Sequence, residues 1–299
     1  MPTLSRRRVI LIVIAALAVL LAVPYRKWRD ASNHGGQKYA EPFRIAGNLY
    51  YVGANDVTSF LITSQQGHVL IDGGYPGTPL LIMASIRQLG FDIKDVRVLL
   101  NSHQHIDHAG GLAELQKASG AELWVSEGDA DVVAAGGAGD RSLGRLRFLS
   151  YLPFVRYPPP RVDHRFKDGA KVRLGPIEMT AHVTPGHTPG CTSWAFPVHD
   201  GNRELLAVDI CSLDPPMALK TGNEQTRRQV QAELESSFVK LRSLPADIFL
   251  ATHAREFGRY RKFVARSTAK EPADPFIDRA GYLAYIDEYE KKLRAELAN

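Results

Sequence analysis

Three histidines and one aspartate stand within six residues in the middle of this 299-residue chain. The segment reads HQHIDH, from His103 to His108, and it lies between the apolar run VRVLL and the small residues AGG. Residues two apart on an extended backbone point to the same side, so His103 and His105 can bind one metal ion. Asp107 and His108 are consecutive and converge only across a turn, which AGG permits. The pattern therefore requires a strand that ends at a metal site.

Two later histidines have the local context of functional groups. His187 lies in the Gly/Pro-rich turn TPGHTPG, and His253 follows the strand-like run IFLAT; loops and strand ends often carry such groups. We predict two zinc ions, each with three protein donors and an open position, as is typical of catalytic zinc. A single metal site, or iron or manganese instead of zinc, is the alternative. The predicted donor sets are His103, His105 and His187 for one ion, and Asp107, His108 and His253 for the other.

The order of predicted elements is typical of an α/β protein. Short strand-like segments such as NLYYVG, TSFLIT and GHVLIDGG are separated by turn residues, and TPLLIMASIRQLG and AGGLAELQKASG have helical spacing. Strands resume at AKVRLG, and the segments TRRQVQAELESSFVKLRSLP and DRAGYLAYIDEYEKKLRAELAN are predicted helices. Two successive strand-then-helix halves indicate one domain over residues 41–299, with two sheets flanked by helices.

Residues 133–162 differ from this pattern. They are rich in Gly, Pro and aromatic residues, and we predict a long irregular loop with one short helix. Long loops in compact domains are often functional; packing over the core is the alternative.

The net charge of +5 lies at the N-terminus. Residues 1–29 carry six basic groups and no acidic one, which leaves 31 basic and 32 acidic residues in the rest of the chain. A neutral body without clustered Lys or Arg argues against nucleic-acid binding. The apolar run Val9–Val23 after three arginines predicts a signal peptide or N-terminal anchor at residues 1–30. We therefore expect an exported, periplasmic protein that meets a membrane only through this segment.

The pattern H-x-H-x-D-H with later histidines at strand ends resembles the metallo-β-lactamase superfamily over residues 42–265. The finer pattern is similar to subclass B3 β-lactamases, in the segments NLYYVG, TSFLI, LIDGG, NSHQHIDHAGGLAEL and TPGHTPGCTSW and in the pairing of His108 with His253. This resemblance implies a four-layer αββα sandwich with two zinc ions between the sheets. We expect a monomer.

The resemblance also implies roles for single residues. Asp72, in LIDGG, would support the metal site from behind, and Asp107 would orient the attacking water as well as bind metal. Ser212 would bind the substrate carboxylate, and Asp209 would be structural. The segment AVDICS departs from the usual family pattern, so an Asp209 that bridges the two ions is the alternative.

The two cysteines, Cys191 and Cys211, are too few to stabilise a fold of this size and lack the spacing of a metal site. An export compartment permits a disulfide, and a hairpin closed by the turn HDGN would bring Cys191 beside Ile210 or Cys211. Members of the family carry the cysteine of GCTSW without an evident partner. We therefore expect these two cysteines to remain unbonded.

The activity that the resemblance implies is hydrolysis of the β-lactam ring of antibiotics, and hence antibiotic resistance. A hydroxide bound to zinc would open the ring without a covalent enzyme intermediate, and the only partner would be a small-molecule β-lactam. Lactonases and glyoxalase-II-like thioesterases share the motif, usually with a bridging aspartate that Asp209 could supply. A zinc-loaded binding protein is the non-enzymatic alternative, against which six donors with open positions argue.

Overall fold

Two mixed sheets form the centre of the computed structural model, which describes residues 38–298. The seven-stranded sheet keeps chain order, with β1 (Phe43–Ala46), β2 (Leu49–Tyr51), β3 (Phe60–Ser64), β4 (Gly67–Ile71), β5 (Val96–Leu100), β6 (Glu122–Ser126) and β7 (His164–Phe166). The five-stranded sheet has the order β8 (Lys171–Leu174), β9 (Ile177–Val183), β10 (Thr192–Asp200), β11 (Arg203–Ile210) and β12 (Ile248–Ala251). The leader predicted at residues 1–30 lies outside the described residues.

Helices lie on the outer faces of the two sheets. Within residues 38–298 they are α1 (Thr78–Gln88), α2 (Ile106–Ala109), α3 (Leu112–Ser119), α4 (Ala130–Ala134), α5 (Met217–Thr221), α6 (Glu224–Ser243), α7 (Arg259–Ala265) and α8 (Arg279–Leu297). Short 3₁₀ segments cover Ile93–Asp95, Arg141–Tyr151, Pro153–Val155 and Asp274–Phe276. None of the helices in this range has both the length and the apolar character needed to cross a membrane.

The side chains of the strands belong to two hydrophobic cores, one on each face of the strand. Adjacent residues of a strand point to opposite faces, and in β4 Leu70 shares a buried cluster with Ile82 of α1. Its neighbour Ile71 belongs to the cluster between the sheets, together with Trp194 of β10. Phe238 of α6 joins that second cluster from the far side of the five-stranded sheet. The order helix, sheet, sheet, helix confirms the predicted αββα sandwich.

The parallel strands of both sheets end at one edge. β4, β5 and β6 run parallel, and β5 ends at Leu100, just before the HQHIDH segment. β11 and β12 are also parallel, and β12 ends at Ala251, two residues before His253. Val57 and His253 form an antiparallel bridge that joins the two halves here. This edge is therefore where side chains of both sheets can meet.

Residues 133–162 are irregular, as predicted, but in place of one short helix they contain two 3₁₀ segments, the short Pro153–Val155 and the longer Arg141–Tyr151. Its backbone is interrupted at Gly144, where φ is 58°. The segment packs against α5 and lies beside the edge just described.

Cys191 and Cys211 form a disulfide, so the expectation of unbonded cysteines was wrong. The register of β10 and β11 pairs Trp194 with Asp209, which brings the ends of both strands together. The two cysteine Cα atoms lie 5.8 Å apart, within the range for a disulfide. The hairpin had indicated this proximity, and the comparison with family members led to the wrong conclusion.

Candidate metal centre

The first predicted donor set converges at the shared edge of the two sheets. Single donor atoms of His103, His105 and His187 lie within 4.8 Å of one another. Nδ1 of His105 is 3.0 Å from Nε2 of His187, although the two residues come from different sheets. The geometry could hold one metal ion between three imidazoles.

The second predicted donor set lies beside the first. His105 precedes α2 with an extended backbone, and the helix that follows turns Asp107 and His108 towards the centre. Oδ2 of Asp107 is 3.2 Å from Nε2 of His108 and 3.5 Å from Nε2 of His253. Donor atoms of His103, Asp107 and His108 also lie within 4.8 Å of one another, so the two sets are adjacent.

Asp72 lies behind His108, and its support of a metal site stays a prediction. Its Oδ2 accepts a hydrogen bond from Nδ1 of His108 at 3.0 Å, and its carboxylate also accepts from the backbone N–H and hydroxyl of Ser102. Among the described residues other than glycine, Asp72 is the one with a positive φ, 60°. Such backbone strain persists where hydrogen bonds hold it and is concentrated at functional sites.

His105 is supported from residues that the sequence did not single out. Its Nε2 lies 3.3 Å from Oδ2 of Asp140 and 3.0 Å from Oγ of Ser142. Although burial lowers it, the pKa of His105 is raised overall, because Asp140 hydrogen-bonds to the ring and adds its charge. The available signal was the capping pattern GDRS: Asp140 Oδ1 accepts from the N–H of Ser142 at 2.8 Å as the 3₁₀ segment begins.

His253 and His187 are each oriented by a partner on the ring nitrogen that faces away from the centre. Oδ2 of Asp56 lies 3.4 Å from Nδ1 of His253, and Nη1 of Arg255 contacts the Asp56 carboxylate at 2.8 and 2.9 Å. Nδ1 of His187 donates to the carbonyl oxygen of Asp214 at 2.8 Å. In both histidines Nε2 stays directed at the centre, which is the arrangement that metal-binding histidines adopt.

Asp129 connects the two turns that carry the predicted donors, and no sequence pattern pointed to it. Its Oδ2 accepts from the N–H of Gln104 at 3.0 Å and from Oγ1 of Thr188 at 2.7 Å. Its Oδ1 accepts from the N–H of Gly190 at 2.7 Å. Burial raises the pKa of Asp129 to about 6, against the effect of these hydrogen bonds.

The charges of the centre fit a divalent cation. Burial, with the charge of His105, lowers the pKa of His187 to about 3, so its ring is neutral and offers a lone pair. Burial also opposes protonation of His108, but Asp107 and Asp72 outweigh it and raise the pKa of His108 to about 10. The carboxylates of Asp107 and Asp72 thus favour a positive charge at His108. Nε2 of His108 is buried, and within the described range its 3.2 Å contact with Asp107 does not have hydrogen-bond geometry, so zinc is a suitable partner for it.

Asp209 and Ser212 lie behind the donors. In the part of the chain that the structure describes, Asp209 belongs to neither donor group, and its buried Oδ1 has no hydrogen-bond partner. Burial, and then the charge of Asp72, raises the pKa of Asp209 well above its usual value. Ser212 is 5% exposed, and its Oγ accepts from the N–H of Asp214 at 3.3 Å. Its substrate-binding role stays a prediction.

Solved structures of similar proteins match almost the whole described fold. Native FEZ-1 metallo-β-lactamase from Legionella gormanii is 35% identical, the match covers 87% of this chain and 96% of that chain, and the TM-score is 0.80. BJP-1, a subclass B3 metallo-β-lactamase of Bradyrhizobium japonicum, is 31% identical over 88% of this chain and 96% of that chain, with a TM-score of 0.78.

The names of the curated relatives state a different activity from the names of the solved structures. A hydroxyacylglutathione hydrolase of Jannaschia sp. is 28% identical over 166 residues, which are 55% of this chain and 49% of the relative. The chain spans between about a third and a half of the length of the first such relatives. The family model described as metallo-beta-lactamase superfamily matches residues 52–200. Fold, donor arrangement and these matches agree, and the chain belongs to the metallo-β-lactamase superfamily.

Proposed function

We propose that this chain hydrolyses β-lactams with two zinc ions, in the manner of subclass B3 enzymes. Bound zinc supplies a water of lowered pKa and a positive charge beside the lactam carbonyl. The ions would be held by His103, His105 and His187, and by Asp107, His108 and His253.

Asp107 would position the attacking water and accept its proton. Burial opposes ionisation of Asp107, but His108 and His253 hold its pKa far below the usual value, so it is a carboxylate at neutral pH. As the water oxygen bonds to the carbonyl carbon, the lactam C–N bond breaks and a proton ends on the nitrogen. No protein side chain needs to form a covalent bond with the substrate.

The position of Asp209 is the observation that favours a lactam over a thioester as the substrate. A glyoxalase-II-like enzyme would use this segment to supply a bridging carboxylate. Within residues 38–298, Asp209 lies outside both donor groups and next to the charge of Asp72. The thioesterase is the second candidate because relatives such as the Jannaschia protein are named hydroxyacylglutathione hydrolases.

Parallel assays on purified protein test the proposal. Nitrocefin, meropenem, S-lactoylglutathione and an acyl-homoserine lactone are each assayed with and without a chelator. We expect hydrolysis of the two lactams that the chelator abolishes and zinc restores. We also expect His187→Ala to lose this activity, while the control His164→Ala, at a partly exposed histidine paired with Glu122, keeps it. Faster hydrolysis of the thioester or the lactone than of both lactams would overturn the proposal.

We infer that the enzyme acts in the periplasm. The predicted leader at residues 1–30 supports this, as does the Cys191–Cys211 disulfide, because such bonds persist in oxidising compartments. Fractionation of cells that express the full chain tests the inference, and protein confined to the cytoplasmic fraction would contradict it.

A further inference from the structure

A cleft of about 340 Å³ opens beside His187. One wall is the start of the 3₁₀ segment Arg141–Tyr151, and the other is formed by α5 and α6. The cleft is therefore continuous with the first donor set and large enough to take part of a small molecule.

Two free guanidinium groups line this cleft. Arg141 and Arg145 are exposed, and neither has an ion pair or a hydrogen bond to another described residue. Arg147, on the same wall, instead donates from Nε to the carbonyl oxygen of Gly139. Across the cleft, α6 contributes one half-buried carboxylate, Glu233, which accepts a hydrogen bond from Gln229. The cleft has a net positive charge, and two of its cations have no partner.

The wall that carries these arginines is fixed in place. A Cβ added to Gly144 would lie 2.5 Å from Oγ1 of Thr221 and 2.9 Å from Cα of Ala218, so the segment packs tightly on α5. Oγ1 of Thr221 also donates to the carbonyl oxygen of Leu143 at 2.9 Å. Since Ser142 contacts His105, the backbone that carries the arginines is held in a set position relative to the predicted donors.

We propose that Arg141 and Arg145 form a subsite for a carboxylate on the acyl side chain of the substrate. This rests on the proposed function. The acyl side chain leaves the lactam ring on the carbonyl side, whereas the ring carboxylate lies on the nitrogen side. If the ring carboxylate faces the set of Asp107, His108 and His253, the acyl group enters the cleft beside His187. Guanidinium groups bind carboxylates through paired, charge-assisted hydrogen bonds.

A matched pair of penicillins tests the subsite, because carbenicillin differs from benzylpenicillin by one carboxylate on the acyl side chain. We expect Arg141→Gln/Arg145→Gln to lower kcat/KM for carbenicillin by about 10-fold or more and to change the value for benzylpenicillin less than about 2-fold. The matched control is Arg227→Gln, at an exposed arginine of α6 that does not line the cleft, and it should affect neither penicillin. In the natural protein, added salt should raise KM for carbenicillin more than for benzylpenicillin.

The outcomes separate the two proposals. If benzylpenicillin is hydrolysed but the double variant changes both penicillins equally or neither of them, the subsite is wrong and the proposed function stands. If S-lactoylglutathione is hydrolysed and neither penicillin is hydrolysed, the proposed function is wrong, and the proposed subsite is wrong as well. Zinc content and the circular dichroism spectrum of each variant, compared with the natural protein, show that the fold is retained.

Discussion

His253 reaches the metal centre from the end of β12, while the residue that fixes its ring lies between β2 and β3. Asp56 faces Nδ1 of His253, and Arg255 pairs with the same carboxylate. A carboxylate in this position makes the ring a better donor and holds its orientation. Replacing Asp56 would also leave the charge of Arg255 unpaired beside the metal.

We expect Asp56→Asn to weaken binding of the ion held by Asp107, His108 and His253 by about 10- to 100-fold. Competition with a chromophoric zinc chelator measures this affinity. The matched control is Asp131→Asn, which neutralises another aspartate–arginine pair, with Arg165 at 2.7 Å, where no histidine is involved. An equal effect in both variants, or none in Asp56→Asn, would contradict a role in positioning His253.

Asp209→Asn should keep its full zinc content and gain stability relative to the natural protein as the pH rises. Because burial raises the pKa of Asp209, the folded protein keeps a proton that the unfolded chain loses above about pH 4. A raised pKa contributes stability below the unfolded pKa, and this contribution is lost as the pH rises towards the folded pKa. The natural protein should lose about 1.4 kcal/mol per pH unit in that window, whereas asparagine does not titrate.

Urea unfolding of both proteins at about pH 5 and about pH 7 measures this difference. The other titrating groups are the same in both proteins, so their contributions cancel. A difference that does not change with pH would mean that Asp209 is ionised in the fold. Loss of one zinc ion in Asp209→Asn would instead identify it as a metal ligand and favour the thioesterase.

The side chains that converge at the shared edge of the two sheets could be named from the sequence because most of their signals are local, and their role as metal ligands stays a prediction. The HQHIDH spacing and the turn around His187 each fit within a few residues. Asp56 carried no local signal, and the capping pattern at Asp140 did not indicate His105, because each aspartate meets its histidine only after distant segments pack together. The disulfide could have been predicted locally, because the hairpin had placed Cys191 near Cys211. The analogy with relatives led instead to the expectation of unbonded cysteines.

At the level of secondary structure elements, the 3₁₀ segment Arg141–Tyr151 joins the metal centre to the cleft. Gly144 has a φ of 58°, and an added Cβ would meet α5. Gly90, after α1, has a φ of 88° and nothing within 4 Å of such a Cβ. Gly144 is therefore crowded where Gly90 is not, and its ψ of −124° also lies outside the left-handed helical region.

We expect Gly90→Ala to lower the free energy of unfolding by about 1–2 kcal/mol, the cost of a left-handed backbone for alanine. Gly144→Ala should cost about 1–3 kcal/mol more, because a ψ of −124° lies outside the left-handed helical region and the methyl group also overpacks against α5. Urea unfolding measures both values. Gly144→Ala should also lower kcat/KM for carbenicillin more than for benzylpenicillin, since it displaces the arginines. Equal costs for the two variants would show that α5 does not fix this segment.

The elements that the sequence missed lack a pattern of their own. β7 is His164–Phe166, three residues of which two are polar, and it forms by adding backbone hydrogen bonds to β6. β1, Phe43–Ala46, is four residues long and follows a polar stretch. By contrast, Gly67–Ile71 and the amphipathic helix α6 were predicted, because apolar runs and helical spacing reflect their burial directly.

For the whole molecule, we expect metal binding to contribute to folding stability, because the predicted donors come from both sheets. A ligand that binds only the folded state, at about 1,000 times its dissociation constant, adds about 4 kcal/mol. We therefore expect a chelator to lower the free energy of unfolding by several kcal/mol, and added zinc to restore it. Chemical denaturation with and without chelator measures the effect, and the double variant His187→Ala/His253→Ala should respond much less. Identical unfolding curves with and without chelator would contradict a metal centre between the sheets.

The division of donors between the two sheets also sets when metal can enter. His103 and His105 leave the ribosome well before His187, and His253 follows later still. During synthesis the early donors have no partners, so the nascent chain offers no complete site. We therefore expect the complete metal centre to load only after the two halves close, at the place where the chain folds. A chain that crosses a membrane unfolded would take its metal from the far side and carry none across.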